Sequence, residues 1–337
     1  MAMKLLRRLR FSSPRLRGEV PAKQGMGGNS RFGSSFENLP PSTSASLQPL
    51  PPASGEKSIL TIFAMAALMA SAPVSSQTST PQTPSIACSG MAQQGGLIVC
   101  RTEPNAKVKI ARGEDDFYFE NADDNGVLFV GFDRDESDNF VEYAGERVSF
   151  DLSPRDYDTS KIDGLPSNMV NEYTEEELKR IRAATARKKI GFASRQEEIG
   201  FKDGFIYPIQ ADYIKTTNFG AQRILNGVPK RPHYGVDLAA PKGTPIVAPA
   251  DGIVSMADED MYFEGSLLLI DHGQGLISYY LHMEDIVVED GQHVKQGEQV
   301  ATVGTKGRST GPHLCWRLKW RNRNLDPELL TEWPSES

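Results

Sequence analysis

The sequence has no apolar run long enough for a membrane-spanning helix, which needs roughly 20 residues. Its most apolar stretch, Ile59 to Ala72, has 14. A permanent membrane span is therefore not expected. An excess of positive charge is missing too. Of the formal charge of −7, residues 1–57 contribute +6, from nine Lys/Arg against Glu19, Glu37 and Glu56, so the remainder carries −13. Such a chain has no general field for nucleic acid or anionic lipid, and no nucleic-acid partner is expected. No HExxH glutamate is present to serve as a metalloprotease base. The acidic stretch Asp133–Asp138 lacks the glycine and distal glutamate of an EF-hand loop and reads as a solvated loop. Cysteine is scarce: Cys88, Cys100 and Cys315. The first two lie close together and are expected to pair across a hairpin in an oxidising compartment, which leaves Cys315 free.

The run Ile59–Ala72 follows Lys57 and ends in Ala70-Ser71-Ala72. That is the pattern of a secretory signal peptide, so residues 58–72 are expected to direct export to the periplasm or cell envelope. Residues 1–57, rich in Ser, Pro, Gly and Arg and without periodicity, read as a disordered leader or as upstream sequence joined by a mis-assigned start. Residues 73–85 read as a Ser/Thr/Pro/Gln-rich linker.

The remainder is expected to be mostly β. Over 86–152, short runs such as Leu97-Ile-Val99 and Val127-Leu-Phe-Val130, separated by Gly, Asn and Asp turns, suggest a small antiparallel β-sandwich. Residues 153–200 read as a linker with a helix, because Thr174-Glu-Glu-Glu177 is a capping box followed by a Leu/Ile/Ala and Lys/Arg pattern. From 201 to 333, β-rich runs broken by Gly and Pro, among them Ser266–Ile270, Leu276–Leu281 and Leu314–Trp320, predict an antiparallel β domain.

In the segment His313-Leu-Cys-Trp-Arg-Leu-Lys-Trp320, strand alternation sets His313, Cys315, Arg317 and Lys319 on one face and Leu314, Trp316, Leu318 and Trp320 on the other. The apolar face fixes the register, so His313 and Cys315 turn together toward a polar cleft. His233 and Asp237 are also an even number apart, with Gly235 between them permitting close backbone approach. The two pairs supply imidazole, carboxylate and thiol, and three protein ligands with an open fourth position is the arrangement of a catalytic zinc. Taken singly, each histidine reads equally as a surface or hydrogen-bonded residue. Their joint occurrence favours a Zn²⁺ site.

These residues, with Asn218-Phe-Gly-Ala-Gln-Arg223, Pro232-His-Tyr-Gly-Val-Asp-Leu-Ala-Ala-Pro-Lys-Gly-Thr-Pro245, Tyr280-Leu-His282 and Gly307-Arg-Ser-Thr-Gly-Pro-His-Leu314, make the carboxy-terminal domain resemble the lysostaphin-type, LytM-like zinc metallopeptidases. That family cuts peptidoglycan cross-links. The resemblance runs over about 201–319. It implies that His233 and Asp237 are zinc ligands and that His282 and His313 act on the bound water and the transition state. One position departs: the family's third protein ligand is a histidine two residues after the one matching His313, and here that position is Cys315. A thiolate is a sound zinc ligand. With Asp237 it neutralises Zn²⁺, so water activation is expected to weaken. His272 and His293 fall outside the pattern and read as structural or surface residues. Arg223, Arg317 and Lys319 read either as positive charge for peptide carboxylates or as a solvated face.

The implied activity is zinc-dependent hydrolysis of peptidoglycan stem-peptide cross-links. The alternative is a catalytically weak or inactive LytM-like module that binds peptidoglycan or regulates cell-wall amidases through a protein partner the sequence does not identify.

Overall fold

The sequence around residue 316 alternates large apolar and polar side chains, and the strand Leu314–Trp320 follows from it: Leu314, Trp316, Leu318 and Trp320 are all fully buried. A one-residue slip would bring Arg317 and Lys319 into that core and turn both tryptophans outward, so the register is strongly specified. The computed structural model describes residues 85–152, 154–165 and 173–333. The expected leader and signal peptide lie outside the described residues, as does the expected linker apart from Ser85.

Leu314–Trp320 sits inside an eight-stranded sheet. Across the sheet the strands run His293–Val294, Gly252–Met261, Gly265–Asp271, Leu276–Leu281, Leu314–Trp320, Val236–Ala239 and Ile214–Thr217, while Arg323–Leu325 pairs back onto Leu314–Trp320. Every pairing in it is antiparallel. Pro245–Val247 and Gln299–Thr302 form a separate two-stranded ladder. The chain is mostly β, with a carboxy-terminal β-rich domain.

The amino-terminal part forms two small antiparallel sheets. One pairs Ala87–Gly90, Leu97–Arg101 and Val127–Gly131, and the other pairs Phe117–Asn121, Lys107–Ala111, Asp138–Tyr143 and Glu146–Asp151. Cys88 and Cys100 face each other across the first hairpin and form a disulfide, as the sequence predicts. One buried cluster runs from Ile86 through Phe132 and Phe201 to Leu330, so these sheets and the large one share a core. The acidic stretch at 133–138 exposes Asp135, Ser137 and Asp138 as expected of a solvated loop, and departs from that expectation at Glu136. Glu136 is buried because Arg323, itself 1% exposed, donates from Nε to its Oε1 at 2.7 Å. A buried guanidinium needs such a partner.

The helix Glu175–Gly191 starts as its capping box predicts: Glu177 N–H donates to Thr174 Oγ1 at 3.2 Å, and Thr174 N–H donates to Glu177 Oε2 at 2.7 Å. It packs on the strand Gly252–Met261, and Lys188 pairs with Glu264 at 2.6 Å. Thr159–Ile162 pairs in parallel with Gln222–Leu225, alongside the segment that delivers Arg223.

Candidate metal centre

The site is built where two strands of the large sheet lie side by side. Asp237 on Val236–Ala239 is the direct partner of Cys315 on Leu314–Trp320. Cys315 in turn faces Leu281, the residue before His282. His233 precedes its strand and is held by its backbone, its N–H donating to Ala221 O at 2.8 Å and its carbonyl accepting from Gly220 N–H at 2.7 Å. The ring is thereby set beside Asp237, four residues on.

The sequence-predicted ligands come together. Donor atoms of His233, Asp237 and Cys315 lie within 4.8 Å of one another, and all three residues are buried. His233 Nε2 stands 3.1 Å from Cys315 Sγ and 3.1 Å from Asp237 Oδ1. One ring nitrogen carries at most one hydrogen, so it cannot serve both neighbours. Asp237 Oδ1 has no hydrogen-bond partner of good geometry, and neither has His233 Nδ1. Orphaned buried polar atoms are costly in a protein interior. A cation among these lone pairs removes the conflict, and the nitrogen, oxygen and sulfur set fits zinc.

Electrostatics agree with that donor set. Burial pushes the His233 ring down to about 4, so it is neutral and its lone pair is available at neutral pH. Burial works against ionisation of Asp237, but the adjoining His233 and His313 rings outweigh it and hold the carboxyl below its ordinary range. Burial raises the Cys315 thiol to about 12, with Arg317 opposing. A metal ion replacing the thiol proton reverses that balance.

His282 and His313 stand next to this trio. Their ring centroids are 4.9 Å apart, and His313 Nε2 is 3.9 Å from Asp237 Oδ1. His282 Nδ1 lies 2.8 Å from the Lys306 carbonyl, and His313 Nδ1 lies 2.8 Å from the Gly311 carbonyl. A carbonyl oxygen only accepts, so each Nδ1 carries the hydrogen and each neutral ring presents a bare Nε2. His282 holds a φ of 68°, uncommon outside glycine, with its N–H donating to Glu264 O at 3.0 Å. Burial drives its ring down to about 4, against the hydrogen bond to the Lys306 carbonyl.

The loop supplying the Lys306 carbonyl is fixed by a backbone contact. A Cβ on Gly265 would meet Gly307 N at 2.3 Å, and one on Gly307 would meet Gly265 N at the same distance. Sequence reasoning missed Lys306 and Gly311 as orienting groups, because carbonyls leave no side-chain signature; the Gly307–Gly311 run marks only the loop. Of the other histidines, His272 is buried in the core and His293 is exposed.

Residues 231–327 match the model of peptidase family M23. A 122-residue stretch is 40% identical to "Peptidoglycan DD-endopeptidase ShyA" of Vibrio cholerae, spanning 36% of this chain and 28% of that protein. The structure of a putative peptidase M23 from Pseudomonas aeruginosa superposes with a TM-score of 0.52 at 25% identity, over 71% of this chain and 95% of that one. A mutant catalytic domain of the prophage-encoded M23 protein EnpA from Enterococcus faecalis is 31% identical, over 37% of this chain and 95% of that one, with a TM-score of 0.33. By the family model, residues 231–327 of this chain form a domain of peptidase family M23.

Proposed function

We propose that this chain is an exported zinc-dependent endopeptidase that hydrolyses the peptide cross-links of peptidoglycan in the periplasm or cell envelope. One observation carries the reading: three buried donors of different elements converge beside two histidines whose Nδ1 atoms are both held by backbone carbonyls. His233, Asp237 and Cys315 would hold the metal. Zinc in such a site polarises a carbonyl and brings the pKa of its water to about 7.

The remaining chemistry falls to the histidines. Either bare Nε2 can accept the proton of the attacking water and pass it to the leaving amine. Two imidazolium ions with rings 4.9 Å apart would repel, so a proton taken up by one ring opposes protonation of the other. That division suits a base beside a donor to the oxyanion. The substrate class is supported by the relative named as a peptidoglycan DD-endopeptidase, of which this chain spans 28%. Export is supported by the Ile59–Ala72 run and by the Cys88–Cys100 disulfide, a bond of oxidising compartments. Among the described residues no helix is long and apolar enough to cross a membrane.

The test pairs zinc determination on the purified full chain with digestion of cross-linked muropeptides. One zinc per chain and loss of cross-linked dimers are expected. Intact dimers in the zinc-loaded protein would leave the non-catalytic module as the reading, and absence of zinc as well would remove the metal site altogether.

A further inference from the structure

We propose that Arg317 is a positioning residue that fits Cys315 to serve as a metal ligand and commits position 315 to an anionic donor. The inference rests on the zinc reading above. Arg317 Nε–H donates to Cys315 Sγ at 3.2 Å, from the same face of the strand Leu314–Trp320. The chain makes room for this contact. A Cβ on Gly235 would lie 2.4 Å from Arg317 Cγ and 2.6 Å from the Trp316 carbonyl, so the stem of Arg317 fills space that only glycine leaves. The guanidinium also stands 5.9 Å from the Tyr279 ring centroid.

On the other side of the trio, Arg223 Nη2 lies 3.5 Å from Asp237 Oδ2. The side chains therefore run Arg223, Asp237, Cys315, Arg317, two fixed cations flanking two anionic donors that face each other across the ladder. A thiolate in place of an imidazole removes one positive charge from the loaded site, and Arg317 returns it at hydrogen-bond range. The same contact makes an imidazole unwelcome. A neutral ring at 315 would leave the Arg317 guanidinium beside the zinc without its anionic partner. Histidine, the usual ligand of the resembling family, should thus bind metal poorly here until Arg317 is also changed.

The experiment measures zinc affinity of the full chain by chelator competition, and the thiolate-to-metal charge-transfer band after cobalt substitution. Wild type is compared with Arg317→Gln, Arg317→Lys, Cys315→His and the double variant Cys315→His/Arg317→Gln, with thermal unfolding of each metal-free protein as the check on folding. Arg317→Gln should weaken zinc binding about 10–100-fold and move the cobalt band. Arg317→Lys should recover part of the affinity by restoring charge without the Nε–H donor. Cys315→His should bind zinc more weakly than wild type, and the double variant more tightly than Cys315→His. Wild-type affinity with an unmoved band in Arg317→Gln would overturn the proposal. So would Cys315→His binding as tightly as wild type, a comparison that decides the matter even if Arg317→Gln fails to fold. A wild-type chain that takes up neither zinc nor cobalt fails at the earlier step, and the role of Arg317 falls with it.

Discussion

His233 and His272 are equally buried, at 1% and 0% exposure, and burial drives both rings down to about 4. Their surroundings differ in completeness. The Asp251 carbonyl, 2.7 Å from His272 Nδ1, can only accept, so the hydrogen sits on Nδ1 and Nε2 accepts from Ser278 Oγ at 2.7 Å. Ser278 Oγ is then left to accept from Tyr280 OH at 2.7 Å. Every nitrogen of His272 has a partner. His233 has none at Nδ1, and its Nε2 faces a carboxylate oxygen and a sulfur that it cannot both satisfy. One cluster is complete as protein. The other would be completed by the proposed cation, and that difference sets the two apart where residue type and burial do not.

The comparison breaks most sharply at His233. His233→Ala should reduce bound zinc and muropeptide cleavage to background while the metal-free protein keeps its fold, because the ring is tied to the site by its donor atom and its backbone bonds to Gly220 and Ala221 survive. Stoichiometric zinc in that variant would remove His233 from the ligand set. A smaller effect is expected from the two histidines beside the trio. His282→Ala and His313→Ala should each lower kcat by about 10²–10⁴-fold with zinc retained, the scale of a lost general acid or base. Loss of zinc from the His313 variant would instead mark that ring as a ligand.

Much of this contrast was legible in the sequence. The alternation of Leu314, Trp316, Leu318 and Trp320 fixed the face on which Cys315 stands, and the even spacing of His233 and Asp237 put imidazole and carboxylate together. The helix announced itself through Thr174 and Glu177, a signal contained within four residues. The less legible features depend on contacts distant in the chain. Glu136 reads as part of a solvated acidic run until Arg323 folds against it. Thr159–Ile162 is short and polar, so its parallel pairing with Gln222–Leu225 left no periodic mark. His272 stood open between surface and structure, because the Asp251 carbonyl and the Ser278 hydroxyl that enclose it carry no motif. Arg317 could be seen to share the face of Cys315, but the void left by Gly235 that admits it depends on two neighbouring strands.

The mildest effect is expected on the complete side, and it concerns pH. An unperturbed histidine titrates near 6.5, whereas His272 in the folded chain is pushed down to about 4 by burial. Between those values the unfolded chain binds a proton that the folded chain refuses, so stability rises with pH in that window. The contribution is fully present above about 6.5 and is lost as the pH falls toward about 4, reaching on the order of 3 kcal/mol if the whole shift is expressed. Below both values both states are protonated, and this ring adds no further loss. Urea unfolding of the metal-free protein from about pH 7.5 down to about pH 4 should show that slope. His233 contributes in the same direction, so the diagnostic measurement is the difference between wild type and His272→Gln. The variant should be less stable at neutral pH but should lose less stability on acidification. An unchanged slope in His272→Gln would show that His272 is not kept neutral by its hydrogen-bonded core, and the contrast with His233 would have to rest on geometry alone.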